Sequence, residues 1–171
     1  DLIDGFRQSA DQILILQTVV LMVVYLFRLD AHGSAEKILA LSVSHAHHIG
    51  LHRERVVAVM SPFQGEMARR LWWCIYLLDR RLAIETGRPF LIQDVNIDVG
   101  LPRNVSDEWL TTHKMAQTAM NVHVAAKETS VPYLTAMTNY SRVIGKVWEA
   151  LYGATTSEAI PSPLLNEYLE H

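Results

Sequence analysis

Residues 66–89 read EMARRLWWCIYLLDRRLAIETGRP, and the fold follows from how this stretch is read. Two Arg precede eight apolar residues, Asp79-Arg80-Arg81 close the run, and Gly87-Arg88-Pro89 follow. Start signals align just upstream. Ser61 can cap a helix, Pro62 suits its first position, and Gln64 can complete a capping box. Gly87 is a natural stop, and Pro89 prevents a restart. The spacing therefore predicts one helix from Pro62 to about Thr86. On it, Leu71, Trp72, Cys74, Ile75 and Leu78 cover more than half the circumference, which makes the helix central rather than peripheral. Trp72 and Trp73 are expected to be structural, with at least one of them fully buried.

The charges around this run need partners. Glu66 and Arg70 stand at i, i+4 and can pair. Arg is the cation best suited to partly buried, two-pronged pairing. The next segment, GRPFLIQDVNIDVGLPRNVSDE (residues 87–108), is a long connector. Its Phe90, Leu91, Ile92, Val95, Ile97, Val99 and Leu101 are too many apolar groups to leave in water. A connection beyond about 12 residues is usually functional or disordered; this composition predicts an ordered strap packed across the helices. Asp94 and Asp98 of the strap face the cations of the helix. The expectation is a latch of Arg69, Arg70, Asp79, Arg80, Arg88, Asp94 and Asp98, with at least one of the four Arg pairing with Asp94 or Asp98. Arginines at both ends of a buried helix make a poor phosphate clamp, because they share no open face.

Working outward, Ser9 to Leu29 reads as a first helix, apolar on more than one face. Its unbroken apolar run, Val19 to Phe27, has nine residues. A membrane-spanning helix needs about 20, so a core helix is expected and no membrane partner. Ser34 is the expected N-cap of a second helix through about Ile49, with Glu36 in its first turn and Ile38, Leu41, Ala46 and Ile49 inward; Gly50 would stop it. Residues 109–131 suggest a weaker helix, and Pro132 a break. From Tyr133 to Tyr152 the pattern returns in Leu134, Met137, Tyr140, Ile144, Val147, Trp148 and Leu151, with Gly153 as its stop. The tail at 155–168 suggests one short helix. Nothing alternates with period two long enough for a sheet. The expected class is all-α, one multi-helix domain over residues 1–168. Leu169-Glu170-His171 reads as a tag remnant, and the absence of Met at position 1 suggests a fragment of a longer protein.

Composition narrows the function. The chain has 171 residues, half of them hydrophobic and 19% charged, with a net charge of −3. That supports a core and argues against disorder. A self-sufficient DNA-binding domain would be basic on one face. Cys74 is the only cysteine, so neither an intrachain disulfide nor a Cys-based zinc site can form. There is no Gly-rich phosphate loop and no G-x-S-x-G elbow. Cys74 between Trp73 and Ile75 is expected to be an inert thiol.

Two clusters could carry chemistry. His45, His48 and His52 would share a face on one helix, and His48/His52 have zinc-ligand spacing. An α-helical metal-dependent hydrolase is therefore a rival reading. Against it, Ile49 stands where the HExxH motif has its Glu, Gly50 interrupts the helix, and no carboxylate offers a third ligand. Partly exposed or capping histidines are the plainer reading. Glu85, Asp94 and Asp98 could form an acid/base pair, but facing the Arg residues is the simpler role. A protein-binding helical scaffold is the other rival.

HIGLHRE at 48–54, followed by residues 66–102, resembles the fungal-specific transcription factor domain, the regulatory middle homology region of fungal zinc-cluster (Zn2Cys6) transcription factors. The resemblance lies in the Gly-Leu-His-Arg turn and the Arg-Arg-x-Trp-Trp helix with Tyr76 and Asp79-Arg80. It continues in Gly87-Arg88-Pro89 and the Ile97-Asp98-Val99-x-Leu101-Pro102 strap. It marks Trp72, Trp73, Tyr76, Gly87, Pro89 and Pro102 as the core motif and covers about residues 10–153. Asn96 replaces an expected acid, which removes one strap pairing. The resemblance implies a non-catalytic, all-helical module of a nuclear transcription regulator, a homodimer and a small-molecule effector among its partners, and an unknown ligand site. The zinc cluster that reads DNA in such proteins has no cysteines here. Zinc and DNA are expected only through a domain absent from this chain, which itself is expected to hold no cofactor.

Overall fold

A computed structural model of the chain describes residues 2–112 and 129–152, with side chains from residue 11. Among the described residues it is all-α. The helices are α1 (Leu2–Arg28), α2 (His32–His48), α3 (Glu54–Val57), α4 (Pro62–Thr86), α5 (Asp107–Thr112) and α6 (Val131–Tyr152), with one 3-10 turn at Asp94–Asn96. The expected helix over 109–131 lies mostly outside the described residues, as do Gly153, the tail helix and residues 169–171.

α4 is the central element, and its ends form as the local sequence dictates. Ser61 Oγ accepts the Gln64 N–H at 3.3 Å and Pro62 occupies the first turn. The Gln64 side chain accepts from the Ser61 hydroxyl at 3.1 Å. Gly87 ends the helix at φ +70°, a left-handed conformation that costs glycine little. Trp72, Trp73, Ile75 and Tyr76 are fully buried, while Cys74 and Leu78 are only partly so. Burial pushes the Cys74 thiol up, which suits an inert group.

α1 packs Ile13, Leu16, Val20, Val23 and Phe27 into the core beside α2 and α4. It is not covered all round. Leu14, Ile15, Leu21, Met22 and Tyr25 are exposed. The window Asp11–Arg28 is long and apolar enough to cross a membrane by length and composition, and 28% of it is buried. The nine-residue run understated this, because the apolar residues 13–16 lie beyond Gln17 and Thr18 and keep the average of the longer window high.

α2 starts earlier than expected. Ala31 holds the N-cap position without a side-chain bond, so Ser34 and Glu36 lie inside the helix. The C-terminal end follows the expectation. Gly50 at φ +77° lets its own N–H reach His47 O and the Leu51 N–H reach Ala46 O, both at 3.0 Å. Of the expected inner face, Ala46 is buried and Leu41 is exposed; Leu39 and Val43 line the core instead.

The largest correction concerns α6. Pro132 lies in its first turn and starts the helix rather than breaking it. Its buried residues are Val131, Thr138, Ser141 and Gly145, whereas Tyr140, Val147 and Leu151 are exposed. The face turned to α4 is the small-residue face. Gly145 shows why: a Cβ there would lie 3.1 Å from Arg80 Nε and 3.9 Å from the Phe90 ring. Large side chains of α4 and the connector already fill that volume.

Candidate functional site

The connector lies along α4, and charged groups hold it at three places. The innermost is Asp79-Arg80. Both are buried, with Arg80 only 1% exposed. Asp79 Oδ1 and Oδ2 accept the backbone N–H groups of Leu91 and Ile92 at 3.0 and 3.1 Å. Arg80 donates to Asp79 Oδ2 at 2.8 Å, Ile92 O at 3.0 Å and Asp94 Oδ1 at 2.6 Å. Its guanidinium carbon lies 4.3 Å from the Tyr76 ring centroid and 4.1 Å from that of Phe90. The planar cation thus meets an aromatic ring of the helix and one of the connector. Burial raises the Asp79 carboxyl above its usual value, against the pull of the two amides and Arg80. Tyr76, whose hydroxyl bonds Asp94 at 3.3 Å, is pushed up to about 12, chiefly by burial.

The second place joins the α2–α3 turn to the connector. Glu54 accepts from Arg69 and from the Gly100 N–H, the latter at 2.9 Å. Burial alone would raise the Glu54 carboxyl; the Gly100 amide and Arg69 outweigh it, so it sits below its usual value. Trp73 Nε1 donates to Gly100 O at 2.9 Å. Asp98 accepts the Glu54 N–H at 2.7 Å and meets Arg53 at 3.2 Å. Here the partner differs from the expectation, which placed Asp98 against an arginine of α4.

The third place is at the start of α4. Glu66 is fully buried, accepting from Arg70 Nε at 3.2 Å and from the Arg103 N–H at 3.0 Å. Arg70 also reaches Val105 O at 2.7 Å and Asp107 at 2.6 Å. Pro102 is buried beside this point.

Of the seven charged residues read from sequence, the structure brings Asp79, Arg80 and Asp94 into one cluster. Arg69, Arg70 and Asp98 hold the same connector through other partners. Arg88 stands apart and pairs with Glu36 of α2. Of the connector's apolar groups, Phe90, Ile92 and Val99 are buried, but Leu91 and Val95 face solvent, the latter 91% exposed. The sequence pattern assigns no ion pair to Arg53, Glu54 or Arg103 and pairs Glu66 with Arg70 alone. The signal for Glu54 was an acid directly after Leu51-His52-Arg53, within a turn too short to hide it. Glu85 bonds Arg81 at 2.7 Å rather than a catalytic partner.

The histidine face does not form. His45, His48 and His52 do not converge on one point; His47 meets His52 instead, with ring centroids 4.8 Å apart, and both rings pack on Trp72. Gly50 turns the chain between them. Among the described residues no three His, Cys, Asp or Glu come together to hold a metal ion.

Comparison with known proteins agrees with a regulatory reading. The model of the fungal specific transcription factor domain matches residues 2–165. An uncharacterised transcriptional regulatory protein of Schizosaccharomyces pombe is 31% identical over 147 residues, covering 86% of this chain and 17% of that protein. Pyrimidine pathway regulatory protein 1 of Saccharomyces cerevisiae is 34% identical over 107 residues, 60% of this chain and 11% of its own. An ABC-transporter-regulating transcription factor of Aspergillus fumigatus is 27% identical over 129 residues, 75% of this chain and 13% of its own. The chain thus spans less than a fifth of the length of these relatives. No solved structure matches.

Proposed function

The chain belongs to the fungal specific transcription factor domain family, a regulatory rather than enzymatic class, and from that premise we propose that it is the regulatory module of a zinc-cluster transcription factor acting in the nucleus. The family match over residues 2–165 carries this reading. In it, DNA and zinc belong to a domain outside this chain, and the module modulates transcription as a homodimer responding to a small-molecule effector. α1 serves as a helix packed on α2 and α4 rather than as a membrane span.

The connector is the proposed working part. Asp79 and Arg80 fix it to the central helix through buried groups that cannot be left unpaired in the interior without a cost of several kcal/mol, and Asp94 adds a contact nearer the surface. A regulator needs a surface held in one arrangement until a signal shifts it. A connector tied by a few buried polar groups can supply two discrete arrangements, whereas a purely apolar one would slide.

The test uses a transcription reporter. The whole regulator carrying Arg80→Lys is compared with its parent at equal protein level. The expected result is altered reporter output with unchanged occupancy of the DNA site. Unchanged output, with the connector demonstrably loosened by amide exchange, would count against a regulatory role for it. A sequence-specific, salt-sensitive DNA shift by the 171-residue chain alone would overturn the assignment of DNA binding to another domain.

A further inference from the structure

The α2–α3 turn encloses an open pocket of about 520 Å³, lined by His47, His48, His52, Arg53 and Arg55 together with Ile49, Gly50 and Val56. Its lining contains cations and groups that can become cations, and no acid. We propose that this pocket binds a small polyanion, a molecule carrying a phosphate group or two carboxylates, through Arg53, Arg55 and the imidazoles of His47, His48 and His52. The inference stands on this pocket and does not depend on the regulatory role of the connector.

Several observations point to an anion. His52 Nδ1 and Arg53 Nε, like His45 Nε2, Trp72 Nε1 and Arg80 Nε, are buried without a hydrogen-bond partner among the described residues; an anion would meet the accessible atoms of His52 and Arg53, not these. Arg55 is exposed and makes no ion pair among the described residues. Of the last carbonyls of α2, those of His45, Ala46 and His47 already accept from Ile49, Leu51 and Gly50, and the lining cations offset the remaining negative end of the helix. A metal cation fits poorly, because two guanidinium groups would repel it and no carboxylate lines the pocket.

The charges around His52 agree with this. Its imidazole is held below the usual histidine value, first by burial and then by His47 and Arg53, with Arg55 adding to the effect and Asp98 opposing it. Those are the charged groups facing it: His47 from α2, Arg53 from the turn, Arg55 from α3 and Asp98 from the connector. Glu54 is turned away to Arg69 and Gly100, and α4 contributes only the neutral Trp72 ring. An empty pocket therefore resists protonation of His52, and a bound anion relieves that resistance. Binding and proton uptake are coupled, so affinity rises as pH falls through the histidine range. Arg53 is also shared with Asp98, so a bound anion engages a side chain that holds the connector.

The protein is titrated with sodium sulfate, which stays a dianion between about pH 5.5 and 7.5, with ionic strength held constant by sodium chloride. Histidine ring resonances report the binding. Saturable shifts of His47 and His52 are expected, with a Kd of about 1 mM or tighter. The affinity should be at least about threefold greater at the lower pH. Arg55→Gln should weaken binding about tenfold, as loss of a charge-assisted contact does. That side chain holds nothing else in place, so the variant should fold. Parallel titrations with phosphate and succinate separate the two ligand classes by which saturates first. Shifts that never saturate and track total salt, or equal affinity in Arg55→Gln, would overturn the proposal.

Discussion

Replacing Arg80 by Ala should be among the most damaging single changes available in this chain. The side chain is 1% exposed and donates to Asp79, Ile92 O and Asp94. Its removal leaves the buried Asp79 carboxylate without its cation and Ile92 O without this donor. Breaking a buried pair by removing one partner costs about 3–5 kcal/mol, against a total of about 5–15 kcal/mol for a typical domain. In a chain of this size that lowers the melting temperature by roughly 6–20 °C. Asp94 matters less, because it is more than one-third exposed and water can replace the guanidinium there.

A second variant separates charge pairing from the amide bonds. Exchanging a buried ion pair for apolar residues is often neutral, so Asp79→Leu with Arg80→Met would restore stability if pairing were the whole effect. It should not, because Asp79 also satisfies the Leu91 and Ile92 amides. Orphaning the buried Ile92 donor costs about 1–3 kcal/mol, whereas Leu91 is exposed and water can replace the partner of its amide. The double variant should therefore stay at least about 1–3 kcal/mol less stable than the parent. Chemical denaturation gives both values, and amide exchange at residues 90–94 localises the loss. Arg80→Ala within about 1 kcal/mol of the parent, or full recovery in the double variant, would refute the reasoning.

Three further outcomes follow from the geometry. Ser61→Ala should destabilise by about 0.5–2 kcal/mol through loss of the cap on Gln64 N–H, read by thermal or urea melting. Gly145→Val should cost about 1–3 kcal/mol by overpacking, since a Cβ there already meets Arg80 Nε at 3.1 Å; a stabilised variant would show that α6 sits farther from α4. In chloride buffer, stability should fall as pH drops below about 6.5, the ordinary histidine value, because the unfolded chain protonates His52 before the folded chain does. The loss levels off once pH passes below the lowered folded value. His52→Gln should flatten that slope, and an identical slope in the variant would assign the effect to other groups.

α4 was legible in the sequence because everything that defines it is local. Ser61-Pro62 and Gly87 fix its ends, and its apolar residues fill most of its circumference, so no choice of face had to be made. α6 was different. Its large apolar residues mark a helical period, but a period alone does not say which stripe packs inward. Here Trp73, Arg80 and Phe90 already occupy the space opposite, so α6 approaches through Thr138, Ser141 and Gly145 and leaves Tyr140 and Leu151 outside. The stripe that packs is set by the partner's bulk as much as by hydropathy, and the partner is not visible in the segment itself.

The charged seam divides along the same line. Asp79, Arg80 and Asp94 lie within one helix end and the turn that follows it, so their meeting requires only that the chain reverse at Gly87. Asp98 is farther from that reversal, and by then the connector has reached the α2–α3 turn, where its backbone N–H and that of Val99 both donate to His52 O. Arg53 is the cation nearest that contact, and so it, not an arginine of α4, meets Asp98. Glu54, next in sequence, turns the other way to Arg69 and Gly100. One short turn thus presents two charges of opposite sign to neighbouring points of the connector, Asp98 and Gly100. That placement fixes the register of the connector: a slip by one residue would set Asp98 away from Arg53 and strip Glu54 of the Gly100 amide together. Apolar contacts through Ile97 and Val99 could accommodate such a slip more readily than these paired charges could.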